Sequence, residues 1–105
     1  MSVAFQALAD DTRRDVLELL LRRELTAGEV AAHFDVTRQA VSHHLQRLRE
    51  AGLVDERREG TRRYYRARPE GLADVVAFVE RFWQMRLRAL KRSAEASARS
   101  RARRG

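Results

Sequence analysis

Two helix-start signals eleven residues apart, followed by a glycine stop, constrain this chain more than any other feature. Thr26-Ala27-Gly28-Glu29 has the form of a capping box, with threonine at the cap and glutamate three residues later. Thr37 is a second cap, and Gly52 ends the run that Thr37 opens. Between these marks fit a short helix over 27–33, a turn at Phe34-Asp35-Val36 and a longer helix over 38–51. A short helix, a three-residue turn and a second amphipathic helix are the parts of a helix-turn-helix.

The flanking segments extend this frame. Ser2 is placed to cap a short first helix carrying Val3, Phe5 and Leu8. Asp10 caps a helix over 11–23 in which Val16, Leu17, Leu20 and Leu21 recur at helical spacing. Asp11 and Asp15 suit the positive end of that helix. After Gly52 the pattern becomes that of strand, with 53–58 and 61–66 flanking Glu59-Gly60 as a hairpin. A hairpin appended to a helix-turn-helix is a wing. Pro69 suits the first turn of a last helix, along which Leu72, Val75, Val76, Phe78, Val79, Phe82, Trp83, Met85, Leu87 and Leu90 follow. That stripe is too broad for one contact surface, so the helix is expected to pack on its own domain and on a second subunit. From Ser93 onward the chain is almost entirely Ser, Ala and Arg, without an apolar period. The expected organisation is a mainly α domain with a small β-hairpin over 1–92 and a basic, flexible tail over 93–105.

Composition narrows the function. The 105 residues suit one domain, and a core this small is commonly supplemented by homodimerisation. The 22 basic residues outnumber the 15 acidic ones for a net charge of +7. Segments 36–68 and 91–105 each carry +5, whereas 1–35 carries −3. Concentrated basic charge attracts nucleic acid or anionic membrane, the alternative being a solvated surface. Without cysteine there is no disulfide framework, thiolate nucleophile or cysteine zinc site. No apolar run approaches the ~18 residues of a membrane span, and no signal peptide is visible, which leaves a soluble cytoplasmic protein. No Ser/His/Asp spacing, Gly-rich phosphate loop or carboxylate pair supports an enzyme, and no cofactor is expected.

Projection of the 38–51 helix separates two faces. Val41, Leu45 and Leu48 cluster on one side with His44 beside them, while Gln39, His43, Gln46 and Glu50 lie opposite. Arg38, Gln39, Ser42 and His43 occupy the N-terminal half, with Thr37 at the cap. That half can reach base edges in a major groove, where Arg suits guanine and Gln suits adenine. The alternative is an ordinary solvated face. His44, on the packed side, is read as a hydrogen-bonded structural histidine, and His33 as a helix-end residue favoured by the dipole. Arg57, Arg58, Arg62 and Arg63 of the wing are candidates for phosphate or minor-groove contact, the alternative being pairing with Glu56 and Glu59. Tyr64 and Tyr65 fall on opposite faces of their strand.

These residues resemble the ArsR family of bacterial winged-helix transcriptional regulators. The resemblance rests on Leu8-Ala9-Asp10-Asp11-Thr12-Arg13, Val41-Ser42-His43-His44-Leu45, Leu48-Arg49-Glu50-Ala51-Gly52-Leu53-Val54, and Gly60 followed by Tyr65. It runs from about Phe5 to Leu90, and Phe82-Trp83 with Arg86-Leu87 and Leu90 looks like the last helix of a metal-independent branch. It implies a homodimer joined through first and last helices, with Phe5, Leu8, Val79, Phe82, Trp83, Leu87 and Leu90 at the interface. It also implies a double-stranded, palindromic DNA operator as partner, met by Arg38, Gln39, Ser42 and His43, and repression of transcription. Metal-sensing members often carry a cysteine pair in the segment matching 25–30, which here has none, or Asp and His pairs on a last helix that here lacks histidine. No metal site is therefore expected. The other reading makes Phe78, Phe82 and Trp83 an effector pocket at the dimer interface, in a repressor responsive to an unidentified small molecule. A protein-interaction module without DNA contact would leave the Arg38–Ser42 face and the wing unexplained.

Overall fold

Local capping builds the first half of the chain. The computed structural model describes residues 3–104, so Ser2 and its expected cap lie outside the described residues. Helix α1 (Val3–Ala7) buries Ala4 and Ala7, leaving Val3 exposed. Helix α2 (Asp11–Arg22) begins where the Asp10 carboxylate accepts the Arg13 main-chain N–H at 3.0 Å. It buries Val16, Leu17, Leu19 and Leu20, and Leu21 is exposed instead of Leu19. Leu19 and Leu20 are neighbours in a leucine triplet, and the helix's own rotation selects which pair faces inward.

Helix α3 (Ala27–Phe34) has the full capping box: Thr26 Oγ1 accepts the Glu29 N–H, and Glu29 accepts the Thr26 N–H at 3.0 Å. It continues one residue beyond the expected end and stops at Asp35, which adopts φ 52°, the only positive φ of a non-glycine among the described residues. Thr37 caps α4 (Arg38–Glu50) by accepting the Ala40 N–H at 3.1 Å. At its far end Gly52 N–H donates to Arg49 O and Leu53 N–H to Leu48 O, both at 2.9 Å, with Gly52 at φ 74°. This is the Schellman arrangement, and its apolar partners Leu48 and Leu53 are both fully buried.

The wing is an antiparallel hairpin of β1 (Val54–Glu59) and β2 (Arg62–Ala67), in register from Val54 opposite Ala67 to Glu59 opposite Arg62. Its two-residue turn is Gly60-Thr61, one position later than the expected Glu59-Gly60. Gly60 has φ 63° while Thr61 does not have positive φ, the pattern of a type II′ turn with glycine first. Leu25 joins β2 through a reciprocal pair, Leu25 N–H to Tyr65 O at 3.1 Å and Tyr65 N–H to Leu25 O at 2.8 Å. Pro69 opens a 3₁₀ turn over Pro69–Leu72 rather than the last helix itself.

Ala4, Ala7, Val16, Leu17, Leu19, Leu20, Leu25, Val30, Val41, Leu45, Leu48, Leu53 and Val54 form the core of this unit, which extends to Ala73. The second unit, from Asp74, is helix α5 (Ala73–Arg104). The helix runs without a break through Ser93, where a flexible tail was expected, because alanine and arginine are among the strongest helix formers. Val76, Phe78, Val79, Phe82, Trp83, Met85, Leu87 and Leu90 are all exposed on α5. The molecule is thus mainly helical with one small hairpin, as the periodicity implies.

Candidate nucleic-acid interface

The cap at Thr37 and the stop at Gly52 hold α4 so that Val41, Leu45 and Leu48 are buried and the opposite face is exposed. Arg38, Gln39, Ser42 and His43 are all on that exposed face. An open cleft of about 850 Å³ runs between the start of α3, the start of α4 and the hairpin tip. Arg38 and Ser42 form its α4 wall, and Thr61, Arg62 and Arg63 its hairpin wall. Thus two of the expected helix contacts and two of the expected wing contacts converge across one groove. Gln39 is exposed beside them but does not line the groove. His43 lines a separate, smaller cleft of about 190 Å³ with Val3, Gln6, Arg13 and Arg47.

The wing arginines divide by what holds them. Arg57 donates to Glu24 at 2.9 Å and to Glu59 at 3.0 Å, and its guanidinium stands 4.9 Å from the Tyr64 ring centroid. The Glu24 and Glu59 carboxylates raise its pKa further above the ordinary arginine value, Glu24 contributing most. Arg57 therefore fastens the hairpin to the α2–α3 connection through Glu24, a partner 33 residues away to which no local spacing points. Glu56 instead pairs with Arg49 at 3.2 Å. Arg58 and Arg63 face each other across the strands, and among the described residues neither forms an ion pair. Like charges directly opposite are destabilising, which an anionic partner would relieve. Arg62 lies at the tip opposite Glu59.

Two acids near the groove are already engaged. Glu29 lines it, but the Thr26 N–H holds its carboxylate and lowers its pKa, with nearby Arg62 and Arg23 acting in the same direction. Glu24 is likewise lowered, first by the hydrogen bond from Arg57. The Thr37 hydroxyl accepts the Ala40 N–H at the cap and keeps its own proton for donation outward.

The histidines behave differently from one another. His33 is exposed in the last turn of α3, its ring edge-on to Phe34 at 4.9 Å. His44 is half-buried as expected, but its Nδ1 is buried without a hydrogen-bond partner, contrary to the reading of a hydrogen-bonded histidine. Burial lowers its pKa, opposed by the nearby Asp10 carboxylate. Of the residues expected at a subunit interface, Phe5 and Leu8 are half-buried in the first unit. Val79, Phe82, Trp83, Leu87 and Leu90 are exposed on α5, where Phe82 and Trp83 meet edge to face at 6.2 Å. Among the described residues no three His, Asp or Glu side chains are grouped to hold a metal ion.

The chain is similar to known proteins in both sequence and fold. Residues 10–56 match the family model described as "Bacterial regulatory protein, arsR family". The chain is 49% identical over 80 residues to the HTH-type transcriptional regulator Rv2034 of Mycobacterium tuberculosis, covering 76% of this chain and 75% of that protein. It is 35% identical over 82 residues to the transcriptional repressor SdpR of Bacillus subtilis, covering 78% and 91% respectively. A solution structure from Mycobacterium bovis, described as a homodimeric winged helix-turn-helix DNA-binding domain, superposes with a TM-score of 0.64 at 35% identity, covering 78% of this chain and 76% of that one.

Proposed function

The chain belongs to the arsR family of bacterial regulatory proteins, and we propose that it is a sequence-specific repressor that grips a palindromic operator as a homodimer without sensing metal. Its relatives are transcriptional regulators, not enzymes. The observation that carries the reading is the groove in which Arg38 and Ser42 of α4 stand across from Arg62 and Arg63 of the hairpin. In it, α4 supplies the base-reading groups, with Gln39 and Thr37 beside them, and the wing arginines neutralise phosphate.

Several features support the finer parts. The apolar residues left exposed on α5 suit burial against a second copy, as does the homodimeric state of the Mycobacterium bovis relative. A two-fold dimer would set its recognition helices in successive major grooves, ~34–36 Å apart, and so favour a palindrome. Repression is the function named for SdpR, and a dimer seated on a promoter would act by occluding it. The zero cysteine count removes the thiolate ligands that a soft metal ion requires. In this reading 1–92 binds DNA and dimerises, 93–105 is a basic appendage, and the protein works in the cytoplasm. None of the described helices is long and apolar enough to cross a membrane.

The test is an anisotropy titration against duplex from the protein's own upstream region and against random-sequence duplex. Tighter binding to the former, lost in the Arg38→Ala/Gln39→Ala protein, is the expected result. Equal affinity of the unaltered protein for both duplexes would overturn specificity.

A further inference from the structure

Helix α5 carries a second basic surface that the operator-binding groove does not use. Arg81, Arg88, Arg92, Arg99 and Arg103 follow one another at spacings of 7, 4, 7 and 4 residues. At about 100° per residue these positions fall within an arc of about 60°. They form one line about 33 Å long on the unbroken helix. All five are exposed, and among the described residues none is ion-paired with a carboxylate. Glu95 borders the line and Asp74 lies seven residues before Arg81, so the line from Arg81 to Arg103 remains strongly positive. By the same rotation Val76, Val79, Trp83, Leu87 and Leu90 lie on the opposite side of the helix, while Met85 falls within the arginine arc and Phe78 beside it.

We propose that this arginine line is a sequence-independent contact for the phosphate backbone of duplex DNA, separate from the groove that reads the operator. The proposal rests on the DNA-binding reading above for the identity of the polyanion. Guanidinium groups match phosphate oxygens in a bidentate fork, and the line is about as long as one turn of duplex. A membrane surface fits the arrangement poorly. A helix lying in the lipid interface buries its apolar side, which would turn these opposed arginines away from the headgroups. When the apolar side is covered by a second copy, the arginines still face outward.

The experiment compares the full chain with a protein carrying Arg81→Gln, Arg88→Gln, Arg92→Gln, Arg99→Gln and Arg103→Gln. Glutamine keeps the helix propensity, and circular dichroism and sedimentation check the helix and the oligomeric state. Affinity for a random-sequence duplex of about 40 base pairs is measured between about 50 and 200 mM salt. The expected result is a salt slope shallower by about 4–5 for each helix α5 engaged and affinity at the lower salt reduced more than ~10-fold, since each neutralised phosphate contributes about 0.9. An unchanged slope overturns the proposal. A five-lysine protein should retain the slope; if it loses as much as the glutamine protein, charge is not the cause and the proposal falls. Arginine-dependent binding to phosphatidylserine vesicles, with duplex binding unaffected by the substitutions, overturns it in favour of a membrane. Loss of operator preference with the arginine-dependent slope intact would instead refute the repressor reading alone.

Discussion

Arg57 donates to Glu24 at 2.9 Å across 33 residues of sequence, fastening the hairpin beside the point where Leu25 pairs with Tyr65. An arginine two strand positions from the turn is thereby committed to the protein's own scaffold, while among the described residues Arg58 and Arg63 form no ion pair.

Replacing either partner should therefore separate positioning from contact. Glu24→Gln and Arg57→Gln are expected to speed amide exchange at Leu25 and Tyr65 and weaken operator binding without altering its salt slope. Arg63→Gln should lower the slope by about 1 and leave exchange unchanged. A reduced slope in Arg57→Gln would mean that Arg57 leaves Glu24 for phosphate. Because Glu24 is held below its ordinary 4.5, the unfolded chain takes up the proton first. The clamp's contribution is thus complete above about pH 4.5 and is lost as pH falls below it, which a pH series of exchange rates checks.

Gly71 is required by a close approach. A Cβ built there would collide with the main-chain carbonyl of Gly52, whose own geometry is set by the cap of α4. Gly71→Ala is expected to destabilise the protein by about 1–3 kcal/mol, measured by urea unfolding. Gly28→Ala serves as the control, since its Cβ would meet nothing nearer than Thr26 Oγ1 at 4.0 Å.

Asp35 sits in the left-handed region at φ 52°, and it also places a carboxylate at the negative end of α3. Asp35→Gly removes both costs and should stabilise by about 0.5–1 kcal/mol. A lower midpoint in thermal unfolding would show that the Asp35 side chain makes a compensating contact.

His44 predicts a pH dependence near neutrality. Burial lowers its pKa below the ordinary 6.5, Asp10 favours the charged form, and Arg13 and His43 disfavour it. The unfolded chain then binds the proton more readily, so stability is full above about pH 6.5 and declines as pH falls below it. His44→Gln should flatten that decline in denaturation curves taken between pH ~7 and ~5; an identical decline in both proteins would place its source elsewhere.

The expectations that held concern neighbours in the chain. Asp10, Thr26 and Thr37 cap their helices because a cap joins residues three apart. Val41, Leu45 and Leu48 are buried because helical rotation puts them on one side. Expectations shifted where neighbouring possibilities were nearly equal. Leu19 rather than Leu21 went inward, and the hairpin turned at Gly60-Thr61 because that pairing seats the positive φ on the first turn residue.

The sequence by itself determined the helix-turn-helix, its caps, the wing and the polar face of α4, since each depends on residues within a few positions of one another. Only the tertiary structure decided which arginines are available. Arg57 and Arg63 look alike in sequence, yet Glu24 engages one while a like charge opposes the other. The same holds for Gly71 against Gly52 and for Leu25 beside Tyr65. These pairs are joined by the folded path of the chain, and no local period or spacing encodes a contact between residues 19 or 40 positions apart.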